Sequence, residues 1–316
     1  MSYEDLLLEE IVKWDIEKFN LIFKNPIIFL CGGDVTPIAK PDIKLYTSLR
    51  SYLIDFAKFV KKEIEIRTAE NFTDYLLFYE NLLEFESDIA SISDLVVVIL
   101  ESPGALIELG LFSGNTHLFT KLVAIQHQSY SSEQSFINLG PLKALKDSSE
   151  NSVLDYSWPL NKPFEKLDED VLKLICHDIS IHLKSSRTQS KFDIKIDSHL
   201  ILFIYELVRC FFPITENELI TTLQLLYGSK IISHKKLKKI IYLLGKFDLV
   251  GKHSLSSTIF IYPLDASITK VKLSYAQSGK EKRSIFEYLL LRVSISKSIQ
   301  VDAKRALALK EIKDLS

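Results

Sequence analysis

Cysteine is scarce in this chain: Cys31, Cys176 and Cys210 are odd in number and far apart. That spacing argues against a disulfide framework and against the paired ligands of a zinc site. The histidines show no metal-ligand spacing either, so no metal is expected. No apolar run approaches the roughly 20 residues that a membrane-crossing helix needs. The start, Met1-Ser2-Tyr3-Glu4-Asp5, is acidic where a secretion signal would be basic. Neither G-x-G-x-x-G nor a phosphate-loop motif occurs, which argues against a conventional dinucleotide dehydrogenase or P-loop ATPase. A cytoplasmic, non-membrane protein is the expectation these absences leave.

What is present fits a globular chain, with 47% hydrophobic and 25% charged residues in 316, enough for two domains with separate cores. The net charge of −2 hides an asymmetry. Residues 1–160 hold 13 basic and 24 acidic residues (−11), and residues 161–316 hold 26 and 17 (+9). Such a split points to a polyanion partner for the second half, or to two halves that dock on each other.

The first half alternates strand-like and helical stretches. Pro26–Leu30, Leu95–Leu100 and Leu122–Gln126 read as strands; Leu45–Lys62, Tyr75–Ile92 and Ala105–Phe112 read as helices. This is the pattern of a parallel α/β sheet with crossover helices. The polar stretch 144–168, broken by Pro159 and Pro163, sets the expected boundary, giving domains 1–160 and 161–316. Beyond it, helical material at Asp168–Leu183 and a polar stretch Ser185–Ser190 precede an apolar helix, Leu200–Phe212. Thr215–Leu226 begins with a capping Thr and first-turn acids, and Ser233 caps His234–Leu244. Phe247–Val250, a turn at Gly251-Lys252-His253-Ser254, and Thr258–Tyr262 read as a hairpin. Two helices and a hairpin outline a winged helix in a mainly helical second domain. Lys235, Lys236, Lys238, Lys239 and Lys252 are its candidate nucleic-acid contacts; a solvated lysine face is the plain alternative.

The chemistry concentrates in Asp94–Gly114, where a buried strand runs into Glu101-Ser102-Pro103-Gly104 and then a helix carrying Glu108 among Leu106, Ile107, Leu109 and Leu111. Open α/β sheets bind ligands beyond the carboxyl ends of their strands, and a carboxylate on that rim suits a nucleophile. The plain alternative is a helix-start glutamate favoured by the macrodipole. Departure of a base from a nucleoside sugar passes through an oxocarbenium-like state that one carboxylate attacks or stabilises while a second handles a proton. Glu108 suits the first role, and Glu86 or Asp88 on the preceding helix the second. Asp94, at the opposite strand end, reads as structural. Gly32 and Gly33 allow close backbone approach of a ligand. Asp34 shares that rim; Glu101 and Ser102, in the loop just before Glu108, could contact ribose or phosphate, and Gly104 joins them as a candidate substrate-binding residue. Asn138 is a candidate ligand donor with Phe136 as a stacking or packing partner, packing being the plainer role, and His127 reads as a solvated loop residue.

Strand-Gly-Gly, an acidic helix, S-D-L-V-V-V-I-L and E-L-G together resemble the nucleoside deoxyribosyltransferases. The resemblance implies that Glu108 is the nucleophile and that Glu86 supports it. The loop departs from those transferases, with Ser102 at the position where they commonly carry an acid. Ile28–Asp34, Glu101–Ser113, Leu122–Gln126 and Ser135–Pro141 are more similar still to the deoxyribosyltransferase-like effectors of bacterial retrons, across most of the first 145 residues. What that resemblance implies is an anti-phage toxin held by a reverse transcriptase and its multicopy single-stranded DNA (msDNA), working in an oligomer. Once released, it would cleave N-glycosidic bonds of nucleotides, with NAD as substrate and no cofactor. Two other readings stay open: a non-catalytic nucleotide-sensing winged-helix DNA-binding protein, and a salvage deoxyribosyltransferase.

Overall fold

A computed structural model describes residues 2–22, 26–40, 43–57, 64–72, 74–185, 190–276 and 286–315. The end of the expected helix Leu45–Lys62 and most of the polar stretch Ser185–Ser190 lie outside the described residues. Two compact units interleave along the chain. One comprises Asn25–Tyr75 and Asn81–Thr188; the other comprises Met1–Lys24, Leu76–Glu80 and Gln189–Ser316.

The chain opens in the second of these with α1 (Tyr3–Ile11), started by a Ser2–Asp5 capping box, and β1 (Asn20–Leu21). It then builds the sheet unit. β2 (Ile27–Cys31) is followed by a small hairpin, β3 (Ile38–Lys40) and β4 (Ile43–Leu45), then α2 (Leu49–Ala57) and β5 (Glu65–Arg67). Next come α3 (Leu82–Ile92), β6 (Leu95–Ile99), α4 (Pro103–Ser113), the one-turn α5 (Thr116–Phe119) and β7 (Leu122–His127). α6 (Lys143–Ser148), β8 (Val153–Tyr156) and α7 (Glu169–Ser185) complete it.

The five-stranded sheet has the order β5-β2-β6-β7-β8, and every pairing in it is parallel. Both faces are covered, which is why β2 and β6 are buried from end to end and read as continuous apolar runs. On one face Ile28, Leu30, Val97, Ile99, Val123 and Ile125 pack with Leu49, Tyr52 and Leu53 of α2 and Ile175 and Leu183 of α7. By strand alternation Phe29, Cys31, Val96, Val98, Ala124 and Gln126 face the other way, where Phe29 meets Phe112 of α4 edge-on.

Three expectations are corrected here. Tyr75–Ile92 is not one helix: a 3-10 turn at Tyr75–Leu77 stops, and α3 starts afresh at its cap Asn81, whose side chain accepts the Glu84 N–H at 2.9 Å. The residues between them take their partners from the helical unit, so the helix cannot run through. Residues 144–168 are not a linker either, since β8 pairs with β7 at the sheet edge. Compactness divides the chain elsewhere than at 160, because α7 fills the sheet unit's core while the first 24 residues belong to the helical unit.

The helical unit is built on α8 (Asp197–Phe211), apolar nearly all round and buried from Leu200 through Phe211 except Leu202. Its internal Glu206–Arg209 ion pair is satisfied in part by the Lys270 N–H at 3.2 Å. α9 (Glu216–Tyr227) starts with a Thr215–Glu218 capping box and ends at Gly228, whose φ of 90° suits glycine. α10 (His234–Lys246) is capped by Ser233. A hairpin follows, β9 (Val250–Leu255) with β10 (Thr258–Pro263). Its turn lies at Ser256-Ser257 rather than at Gly251–Ser254, which are strand residues. Gly251 makes room for its cross-strand neighbour: a Cβ there would meet the Tyr262 ring at 2.5 Å, so the ring would have to shift. β11 (Val271–Lys272) pairs with β1, and α11 (Tyr288–Ile299) and α12 (Ala303–Leu315) finish the chain.

Candidate active site

The sheet's carboxyl edge gathers the acids. β2 ends at Cys31, α3 brings Glu86, and α4 brings Glu108 from just beyond the end of β6. Ser102 is the N-cap of α4: it accepts the Ala105 N–H at 3.2 Å and donates to the Gly32 carbonyl at 3.0 Å. Pro103 follows at the first helical position, where it costs nothing. This fixed start sets the phase of the helix that aims Glu108 inward.

Glu86 is 6% exposed. Burial pushes its carboxyl up to about 7, aided by the charges of Glu108 and Glu70 and opposed by Arg50. Glu108 is raised as well, first by burial, with Glu70 adding to it while Arg50 and a hydrogen bond from the Cys31 thiol pull it back. Its Oε2 is buried and makes no hydrogen bond. A buried carboxylate oxygen without a partner is costly unless something else comes to meet it. Two carboxyls with raised pKa values, one of them with a free oxygen, can divide nucleophile and acid–base roles near neutral pH.

Arg50 is the group that sequence reasoning missed. Its guanidinium, on α2, is buried; Nε donates to the Leu30 carbonyl at 2.9 Å and Nη1 to the Gly33 carbonyl at 3.2 Å. Glu70 clamps it with both oxygens, at 2.8 and 2.7 Å. In the sequence Leu49-Arg50-Ser51-Tyr52 it reads as an ordinary helix-surface cation, and no local signal marks it as buried.

Among the sequence-selected residues, the structure brings Glu86 and Glu108 together and gives several others structural work. Asp94 accepts the Ile27 N–H at 2.7 Å and so pins the start of β2. The Gly32-Gly33 turn is filled from inside: a Cβ on Gly33 would meet Ser48 Cβ at 2.7 Å, and Glu101 lies 3.2 Å away. Asp34 accepts from the Thr36 N–H at 2.9 Å in an exposed turn. Gly104 has open space around it apart from Ser102 Oγ at 3.8 Å. Asn138 donates both amide hydrogens to the Tyr130 and Glu133 carbonyls, at 2.7 and 2.8 Å, closing its own loop. Phe136 is 85% exposed and does not pack into the core. His127 is held rather than solvated, with Nε2 3.1 Å from the Trp158 carbonyl and Nδ1 against Ser129. Among the described residues no group of three or more acids, histidines or cysteines is arranged to hold a metal, and no helix is long and apolar enough to cross a membrane.

The lysines of α10 are exposed or half-buried; Lys235 pairs with Glu80 at 2.8 Å and Lys236 with Asp197 at 2.6 Å. Lys239 lies over the Tyr79 ring, 5.1 Å from its centroid, and Tyr242 stacks on Phe78. Lys238 and, on β9, Lys252 are exposed.

A family described as STM3845 retron effector protein matches residues 46–252, which include Arg50, Glu86, Glu108 and all of α10. The chain belongs to this retron effector family. Among its curated relatives is an Escherichia coli protein named "Retron Ec73 putative ribosyltransferase/DNA-binding protein". The two are 28% identical over 250 residues, 74% of this chain and 76% of the relative. The Escherichia coli retron Ec86 protein of the same description is 39% identical over 131 residues, 40% of this chain and 39% of that one. The chain is thus similar to proteins whose names join "putative ribosyltransferase" to "DNA-binding protein".

Proposed function

We propose that this retron effector is an anti-phage N-glycosidase that cleaves nucleotides, with NAD as the first candidate substrate. The observation that carries the reading is the buried, unpartnered Oε2 of Glu108 beside the raised carboxyl of Glu86. In the proposed reaction Glu108 attacks C1′ of the ribose, and the C–N bonding pair leaves with the base. A nicotinamide ring, cationic while attached, departs neutral without a proton; a neutral base takes one from Glu86. Water then attacks the glycosyl ester, Glu86 accepts its proton, and Glu108 is restored. The sheet unit is read as nucleoside deoxyribosyltransferase-like. Ser102, where those transferases carry an acid, is a helix cap in this chain, which favours water over a second base as acceptor and disfavours salvage exchange.

The α9–α10–β9–β10 succession supports a winged helix in the helical unit, and the names of the relatives support DNA binding by them. We read its partners as the retron's reverse transcriptase and msDNA, in an oligomeric cytoplasmic assembly that keeps the toxin silent. The non-catalytic alternative, a nucleotide sensor that binds DNA, shares these helices but gives the free Glu108 oxygen no work.

The test is a mass-spectrometric profile of nucleotide pools in cells that carry the cognate reverse transcriptase and msDNA, with and without phage. Loss of NAD and release of nicotinamide are expected with the natural chain and not with Glu108→Gln. Loss of another nucleotide with its free base keeps the mechanism and changes the substrate. Unchanged pools under challenge favour the sensor.

A further inference from the structure

Two residues past β6, Glu101 carries a carboxylate that turns away from solvent, its side chain 2% exposed. Its Oε1 accepts the Gly33 N–H at 3.2 Å and the Arg50 N–H at 2.9 Å; its Oε2 accepts the Leu49 N–H at 2.8 Å. Lys162 Nζ stands 3.5 Å from Oε2. The acid therefore sits on the first amides of α2, where orphan N–H groups and the helix dipole favour a negative charge. In many open α/β proteins a ligand phosphate takes that place; here the chain supplies its own anion. The glycine turn is thereby closed to a substrate phosphate and tied to the helix that bears Arg50.

We infer that Glu101 is a positioning residue, a latch that holds Arg50 against the Glu86–Glu108 pair. Arg50 is fixed at both ends. Its backbone N–H is held by Glu101, and its guanidinium by the Leu30 carbonyl of β2, the Gly33 carbonyl of the turn after it and Glu70. Among the described residues, Arg50 from α2, Glu70 from the turn after β5 and the Cys31 thiol from β2 act on the carboxyl pair. Arg50 is the cation among them, so a small retreat of α2 removes the charge that opposes protonation of both acids. Glu101→Gln keeps the shape but turns an amide N–H₂ toward backbone donors, which loosens the latch without emptying the space.

The turnover arm of the test rests on the glycosidase reading; the titration arm does not. Carbon-13 NMR of the glutamate carboxyls in the full chain would follow Glu86 and Glu108 through pH 4–9. In Glu101→Gln both midpoints should rise by about half a unit to one unit, with Glu101→Asp between it and the natural chain. Midpoints unchanged in folded Glu101→Gln overturn the inference; should that variant not fold, unchanged midpoints in Glu101→Asp do so. With a nucleotide substrate, the acid limb of the rate profile should move upward by the same amount. Shifted carboxyls in a chain that never turns over nucleotides would sink the glycosidase reading and leave the latch standing.

Discussion

The Glu86 carboxyl carries a cost that the fold bears at neutral pH and above. Its ordinary pKa of 4.5 is raised to about 7 in the folded chain. Between those values the folded protein holds the proton more tightly than the unfolded one, so stability is fully present below about pH 4.5 and falls as pH climbs toward 7. Glu86→Gln removes this penalty. At pH 8 the variant should be more stable than the natural chain by on the order of 2–3 kcal/mol, melting a few degrees higher, with the gain gone at pH 4. Paired melting curves at the two pH values check it; equal melting temperatures at pH 8 would contradict the buried-acid assignment. Glu108→Gln should lower turnover by about a thousandfold or more while leaving the circular dichroism spectrum unchanged. Glu108 stood out in the sequence as an acid among apolar residues just beyond a buried strand, and Glu86, with Asp88, as an acid on the crossover helix before it. Arg50, Glu70 and the inward turn of Glu101 were not, because their meaning comes from contacts 20, 51, 52 and 68 residues away in the chain.

For α10, the ion pairs change what its lysines can be expected to do. A polyanion must compete with Glu80 for Lys235 and with Asp197 for Lys236, which leaves Lys238 and Lys252 the readier contacts. Replacing Glu80 by Gln and Asp197 by Asn should therefore tighten binding to a DNA duplex several-fold at low salt and steepen its salt dependence by about one to two charges. Serine at Lys235, Lys236, Lys238 and Lys239 together should weaken binding and flatten the slope by up to about three. Titrations by fluorescence anisotropy across salt concentrations read both; slopes unchanged in both variants would make the helix an ordinary solvated face. The starts of α9 and α10 were predictable from Thr215 and Ser233, since a capping side chain is a local signal. The break in Tyr75–Ile92 and the shifted hairpin turn were not. Helical periodicity continued across residues 78–80, and Gly251-Lys252-His253-Ser254 has turn composition; tertiary partners overrode both.

On the scale of the whole molecule, interleaving governs what can be removed. A fragment ending at residue 160 would lack α7, whose Ile175 and Leu183 fill one face of the sheet, and would carry Met1–Lys24 without its own unit. Such a fragment should aggregate or lose near-ultraviolet circular dichroism, and a monodisperse, fully folded 1–160 on gel filtration would refute this. Interleaving also softens the charge split. The helical unit has 24 basic and 19 acidic residues and the sheet unit 15 and 22, so +5 and −7 replace the +9 and −11 of the linear halves. The parallel sheet was readable because its central strands are buried on both faces; its edges β5 and β8 are short and partly polar, and escaped notice.

The five residues Leu76–Glu80 carry one more consequence, for descent. A crossover anywhere between residues 80 and 189 would bring in a foreign helical unit while retaining the native Phe78, Tyr79 and Glu80 that must fit it, or the reverse. Exchange of such modules between lineages is then penalised at the first generation. The two units should share one genealogy, with trees built from either giving the same branching.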